Sequence, residues 1–332
     1  MIPNRYHFVW FGRDFPYTHV LAIRSLANTC APEAIVIHVS EDLTGVPHFD
    51  EVAAEVPVLC QRRLDIDQLL DGGQGFDRTA LRSVYVDLLA RKRWAALSDI
   101  LRYLILLREG GVYLDFDILA VRDLRPVLRS CSGFCGRERI LVPSRVHRGR
   151  RWTSYLRTGP LDFIRLICSR VTAGIDWWKH LEPLYSAAIN GAVLGLVPGH
   201  ALARDALAAV PPLVPTLERR RPAIGPDLLQ DLIDGDPGSR ANQGGQRKDV
   251  MVFDAPAFYP LGPTMANHYF RKTKRAAEVA CKVVTDATYV VHWYNDNMRN
   301  LSRPNNAGEV RALADKQLFA HLAERFALAL RP

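Results

Sequence analysis

Apolar residues recur at three- and four-residue intervals across residues 84–108, at Leu88, Leu89, Trp94, Leu97, Leu101, Leu104 and Leu107. That is the spacing of a long helix with one buried face. Gly110 and Gly111 follow and predict a left-handed stop at its end. Val112 to Leu114 is a short β-rich run that fits a buried strand. Upstream, residues 5–11 read as a strand, 17–29 as a helix opening after Pro16, and 34–39 as a second strand. Residues 40–48 read as a loop and 67–75 as a polar, glycine-rich break. This alternation predicts an α/β half built on a sheet. After Asp123-Leu124-Arg125-Pro126 the chain becomes a mix of short strands, helices and basic loops. Residues 161–172 and 201–210 are helical in pattern, and 234–249, rich in Gly, Asp, Asn and Gln, read as a mobile loop. Residues 309–330 predict an amphipathic helix with Leu318, Phe319, Leu322, Phe326 and Leu330 on or near one face. Such a helix is expected to pack on the domain.

Composition narrows the class. A chain of 332 residues can bury a sizeable core and suits one large domain or two intimate subdomains. With 48% hydrophobic residues in periodic order, it is not a wholly disordered chain. No apolar run reaches the ~20 residues that span a bilayer. The chain opens on a strand-like segment, so no signal peptide is expected and a cytoplasmic location is. Cys30, Cys60, Cys131, Cys135, Cys168 and Cys281 are scattered, as in a reduced protein. Cys131 and Cys135 lack a second pair at zinc spacing.

The formal net charge of +8 suits anionic partners. Residues 145–152, 219–221 and 271–275 are the densest basic clusters. Each reads first as a solvated loop. The functional alternative is a patch for an acceptor or for the inner face of an anionic membrane. No nucleic-acid module accompanies these runs, so no nucleic-acid partner is expected.

The chemistry concentrates at Asp115-Phe116-Asp117. Phe116 is apolar, so the two acids end a buried strand and are not part of a solvated acidic run. Carboxylates in this position fill part of a divalent cation's oxygen shell, and substrate phosphates complete it. Asp99 and Arg102 lie three apart and share one helix face. Folding that helix back along the strand brings the face near Asp115 and Asp117. Arg102 then suits phosphate oxygens or a carboxylate, and Asp99 a sugar or ribose hydroxyl. Taken singly, Asp-x-Asp is a weak signal, and Asp99 with Arg102 is an ordinary surface ion pair. The order of the parts is what carries the inference. Trp10, ending the first strand, offers a flat face for a base; the alternative is a core tryptophan.

The pattern Ser98-Asp99-x-x-Arg102-Tyr103, then Gly110-Gly111-x-Tyr113-x-Asp115-x-Asp117, resembles the sugar-binding region of glycosyltransferase family 32 and its relatives. These include capsular polysaccharide transferases and the glucosylating domain of large clostridial toxins. The opening Ile2-Pro3-Asn4-Arg5-Tyr6-His7-Phe8-Val9-Trp10-Phe11-Gly12 is similar to that family's first strand. Shorter matches follow at Asn190-Gly191, Val197 to His200, Gly225-Pro226, Phe258 to Pro260 and His292-Trp293. The resemblance implies a GT-A-type, Rossmann-like α/β core. Residues 1–125 would form the nucleotide-sugar half, 126–304 the acceptor half and donor lid, and 305–332 the C-terminal helix.

The resemblance also implies roles. Asp117 would bind the metal directly, and Asp115 the donor sugar or ribose and, through water, the metal. Asp99 and Arg102 would hold the donor sugar, Arg102 near the diphosphate, and Trp10 would stack on the base. His292 and Trp293 would close over the diphosphate, with His292 and Asn297 as further ligands. Asn295, Asp296 and Asn297 stand where the family has a serine–tryptophan pair.

The expected activity is transfer of a sugar from a nucleotide-diphosphate donor to an acceptor hydroxyl, with Mn2+ or Mg2+, and the resemblance implies that it proceeds with retention. A uridine nucleotide is the first expectation and guanosine the second. The acceptor is a glycan, a lipid-linked saccharide, a small molecule or a protein. Two alternatives stay open. One is a phosphoryl-transfer enzyme of the haloacid-dehalogenase type, which also ends a strand in Asp-x-Asp. The other is a non-catalytic nucleotide-sugar-binding relative, motivated by the altered segment at 295–297.

Overall fold

The computed structural model describes residues 1–140, 152–171, 174–214, 223–235, 247–295 and 302–329. Its centre is a seven-stranded sheet in the order β3-β2-β1-β4-β7-β6-β8. The strands are β1 (Arg5–Trp10), β2 (Ala34–Val39), β3 (Leu59–Arg63), β4 (Gly111–Leu114), β6 (Gly133–Ile140), β7 (Ser186–Leu196) and β8 (Met251–Phe253). β1 runs parallel to both β2 and β4, and β2 parallel to β3. β7 turns antiparallel between β4 and β6. β5 (Ile118–Ala120) and β9 (Val290–His292) form a separate antiparallel pair. The expected α/β architecture is present, and the later strands extend the first half's own sheet.

Side chains alternate across a strand, and this sheet buries both faces. Tyr6 and Phe8 of β1 and Val112 and Leu114 of β4 enter one core, while Val9 and Tyr113 enter the other. The first core is covered by α1 (Tyr17–Cys30). The second is covered by α4 (Arg78–Ala90) and α5 (Trp94–Glu109), which follow α2 (Pro47–Glu55) and α3 (Ile66–Leu70). After α6 (Arg125–Ser130), α7 (Trp152–Arg170) and α8 (Gly174–Leu181) come α9 (Ala201–Leu213) and α10 (Pro226–Asp234), which complete the second cover. α11 (Ala276–Val283), α12 (Ala307–Leu313) and α13 (Leu318–Ala323) close the chain on the first side.

The predicted β1, β2 and α1 hold to within a residue or two. The long helix does not: α4 and α5 are separate. Arg91 caps α4, Lys92 takes φ 52°, and the amides of Lys92 and Arg93 return to the carbonyls of Leu89 (3.0 Å) and Leu88 (2.9 Å). That is a Schellman stop with lysine in the place usually given to glycine, so no glycine or proline marks it. Gly110, at φ 63°, ends α5 as expected. The expected loop at 40–48 and break at 67–75 both prove partly helical, through α2 and α3.

The C-terminal helix is also broken, because Gln317 leaves the helical path to bridge Lys272. Its apolar residues pack inward: Leu318, Phe319, Leu322 and Phe326 are buried. Asn28 of α1 donates to the carbonyl of Phe326 at 3.1 Å. Basic clusters 145–151 and 219–221, and most of the loop 234–249, lie outside the described residues. No helix among the described residues is long and apolar enough to cross a membrane. The six cysteines are free.

Candidate active site

β4 positions the first carboxylate. Asp115 has the strand parity of Tyr113, and both face α5. The Asp115 amide donates to the Ala192 carbonyl of β7 at 3.0 Å, which fixes the carboxylate at the strand end. The Tyr113 hydroxyl donates to Asp115 Oδ1 at 2.9 Å. From α5, Arg102 Nη2 lies 3.0 Å from Asp99 Oδ1 and 3.7 Å from Asp115 Oδ1. Its guanidinium lies over the Tyr113 ring, 4.6 Å from the centroid.

Asp99 and Arg102 are buried, so this is no surface ion pair. Burial pushes the Asp99 carboxyl up to about 6, against the pull of Arg102 and with the help of Asp115. Burial works against the Arg102 charge, but Asp99, Tyr113 and Asp115 outweigh it and raise its pKa. The guanidinium stays charged. It ties α5 to Asp115 through both acids.

Two glycines make room for this cluster. A Cβ on Gly191 of β7 would fall 2.1 Å from Arg102 Nη1. A Cβ on Gly225, which caps α10, would fall 2.5 Å from Asp99 Oδ2. Sequence reasoning placed both glycines in short matching runs and gave them no role. The function of a glycine is the space beside it, which only the fold reveals. Tyr113 was quoted in the motif, and its bond to Asp115 was also missed.

The second carboxylate is held from the far end of the chain. Ile118 of β5 pairs with His292 of β9, and the Trp293 amide donates to the Asp117 carbonyl at 2.9 Å. His292 Nε2 thereby comes to 3.0 Å from Asp117 Oδ1, and the Asn295 amide donates to Asp117 Oδ2 at 2.7 Å. Burial opposes charge on both partners, but each stabilises the other. Asp117 falls below the ordinary carboxylate range and His292 rises above the ordinary imidazole range. Asp115, Asp117 and His292 each offer a ligand atom, all within 4.8 Å of one another. Two carboxylates and an imidazole so close together fit a divalent cation.

Trp10 is half-buried at the end of β1, edge-on to His19 at 4.4 Å and to Phe116 at 5.7 Å. The Trp293 indole, expected at the donor, belongs to the core. It is 1% exposed and packs on Phe270 and Phe319. Only its backbone reaches Asp117. Asp296 and Asn297 lie outside the described residues.

Residues 16–132 match the family described as glycosyltransferase sugar-binding region containing DXD motif. This segment is a glycosyltransferase sugar-binding region. The match covers residues 16–132 of the chain; it supports a glycosyltransferase enzyme and gives the phosphoryl-transfer alternative no support. No curated protein matches the chain. Among solved structures it is similar to the PaToxG glycosyltransferase, at 15% identity over 69% of this chain and 68% of that one, TM-score 0.45. It is similar to the UDP-bound glycosyltransferase domain of the YGT toxin, at 11% identity over 66% of this chain and 63% of that one, TM-score 0.34. The chain thus spans less than two thirds of that toxin domain. Mouse xyloside xylosyltransferase 1 is similar at 12% identity over 90% of this chain and 99% of that one, TM-score 0.45. No residue role is taken from these likenesses.

Proposed function

We propose that this glycosyltransferase is metal-dependent and moves a sugar from a nucleotide-diphosphate donor, a uridine nucleotide first, to an acceptor hydroxyl with retention. The observation that carries the reading is the meeting of Asp115 and Asp117 with His292 within 4.8 Å, at the end of a strand matched as a sugar-binding region. Asp115, Asp117 and His292 would hold the cation, which supplies charge neutralisation for the leaving diphosphate. An imidazole in the donor set favours manganese over magnesium, which takes oxygen ligands.

The protein's own residues set the geometry. Arg102 pairs with both Asp99 and Asp115, and Asp99 would accept from a sugar hydroxyl. Asn295 and His292 aim Asp117. Trp10 would stack on the base, and residues 126–304 would shape the acceptor side.

Calorimetry of UDP-sugars with and without Mn2+ tests the reading. Wild type binds only with the metal, and Asp117→Asn loses that dependence while its melting temperature stays within a few degrees. Equal donor binding in both, with or without Mn2+, would falsify the metal assignment. Binding without turnover across many acceptors makes the chain a non-catalytic relative.

A further inference from the structure

Beyond His292 the chain turns sharply. Tyr294 takes φ 56°, a left-handed conformation that a bulky residue rarely enters unless its surroundings hold it there. Two contacts hold it. Its ring meets His292 edge-on, at 4.2 Å and 89°. Its hydroxyl donates to Glu138 Oε2 on β6 at 2.7 Å. The Asn190 side chain of β7 lies beside the Glu138 carboxylate and, like Tyr294, favours its charged form. Among the described residues it has no arginine or lysine within ion-pair distance. A residue needed only to fill this space would not be a carboxylate.

The bonds continue beyond Glu138. Asn190 Oδ1 accepts from the Ala192 amide at 2.8 Å, and the Ala192 carbonyl accepts from the Asp115 amide at 3.0 Å. One path therefore runs from the segment bearing His292 and Asn295, through Tyr294, Glu138 and Asn190, to the backbone of Asp115. The two carboxylates of the site are held by different elements, and Glu138 bonds the segment that holds the second of them.

We propose that Glu138 is a positioning residue of the metal site, latching Tyr294 to β7 so that His292 and Asn295 keep their places on Asp117. The inference rests on the metal reading given above. Neither Glu138 nor Tyr294 needs to touch the cation. Their effect passes through the register of a short strand, β9, that has only three residues. Partners of this kind typically change metal affinity about 10–100-fold when removed.

The test uses the full chain, with two readouts. Hydrogen exchange across residues 289–295 without metal reports the latch alone, and Mn2+ titration reports its effect on the site. Tyr294→Phe removes one hydroxyl and no packing; it speeds exchange at the Asn295 amide about tenfold or more and raises the apparent Mn2+ Kd about 10–100-fold, with melting temperature nearly unchanged. Glu138→Ala does the same. Glu138→Gln keeps a carbonyl acceptor for the tyrosine and falls between it and wild type. The double variant Glu138→Ala with Tyr294→Phe is no worse than the worse single one, because both break the same bond. Unchanged exchange in Tyr294→Phe, or additive losses in the double variant, overturns the latch. A wild-type protein that ignores Mn2+ overturns the metal reading instead, and the exchange rates then decide the latch by themselves.

Discussion

The two carboxylates of the site sit one residue apart and are held in opposite ways. Asp115 is gripped by side chains close in sequence: Tyr113 on its own strand, and Arg102 on the helix just before it, which Asp99 holds in turn. Asp117 is gripped by backbone and an imidazole from residues 292–295. On the first side an arginine stays charged under all ordinary conditions, so the arrangement is permanent. On the second side the partner is an imidazole, which is charged only when it carries a second proton. The first side is a fixed wall, and on the metal reading proposed above the second would give up the imidazole proton when a cation binds.

The largest effect expected on the wall comes from Arg102→Lys. An ammonium is a point charge and cannot face Asp99 and Asp115 together while lying flat on Tyr113. Transfer should fall about 100-fold or more, while the metal dependence of residual activity persists. A variant that loses metal dependence as Asp117→Asn does would show that the two sides are one unit.

A smaller effect is expected from Gly191→Ala. Its methyl group must displace a guanidinium that Asp99 and Asp115 hold from the other side. We expect a loss of about 1–3 kcal/mol in stability and weaker donor binding, read by melting temperature and donor titration on one sample. Mn2+ affinity unchanged beside weakened donor binding would sharpen the separation of the two sides. Wild-type donor affinity would sink the role given to the Arg102 cradle.

The effect that bears least on the donor side concerns acid. Burial lowers His7 from 6.5 to about 4 and His19 from 6.5 to about 3. Between those values the unfolded chain binds protons that the folded chain refuses, so unfolding is favoured as pH falls. The stability these histidines contribute is full above about pH 6.5 and is lost progressively toward pH 4 and then 3. Denaturant titrations across that range should show it, with a shallower slope in His19→Phe. His19 stacks on Phe116 at 4.2 Å, the residue that joins the two sides, so acid loosens the join itself. An identical slope in His19→Phe removes His19 from the account.

Much of the wall was legible because its parts lie within twenty residues. Helical spacing put Asp99 and Arg102 on one face, Gly110 ended the helix, and the expected fold-back along the strand brought that face to Asp115, while Asp117 is held from residues 292–295. The break between α4 and α5 was hidden because the apolar period continues across it from Leu88 and Leu89 to Trp94 and Leu97. Its stop is made by Lys92, a residue that composition alone does not flag. The His-Trp pair was noticed by resemblance, but its two members divided: His292 entered the site and Trp293 entered the core. Strand alternation separates them, and no local pattern says which face of β9 meets Asp117.

By itself, then, the sequence determined the carboxylate pair, its strand and the helix that supports it, because those relations depend on short-range geometry with fixed periods. Tertiary structure decided the rest. It brought His292 and Asn295 to Asp117, put empty space at Gly191 and Gly225, and set Glu138 between Tyr294 and Asn190. These relations depend on where distant segments cross. Crossing is settled by burial of whole faces and by strand pairing, and neither is written in the spacing of a few residues.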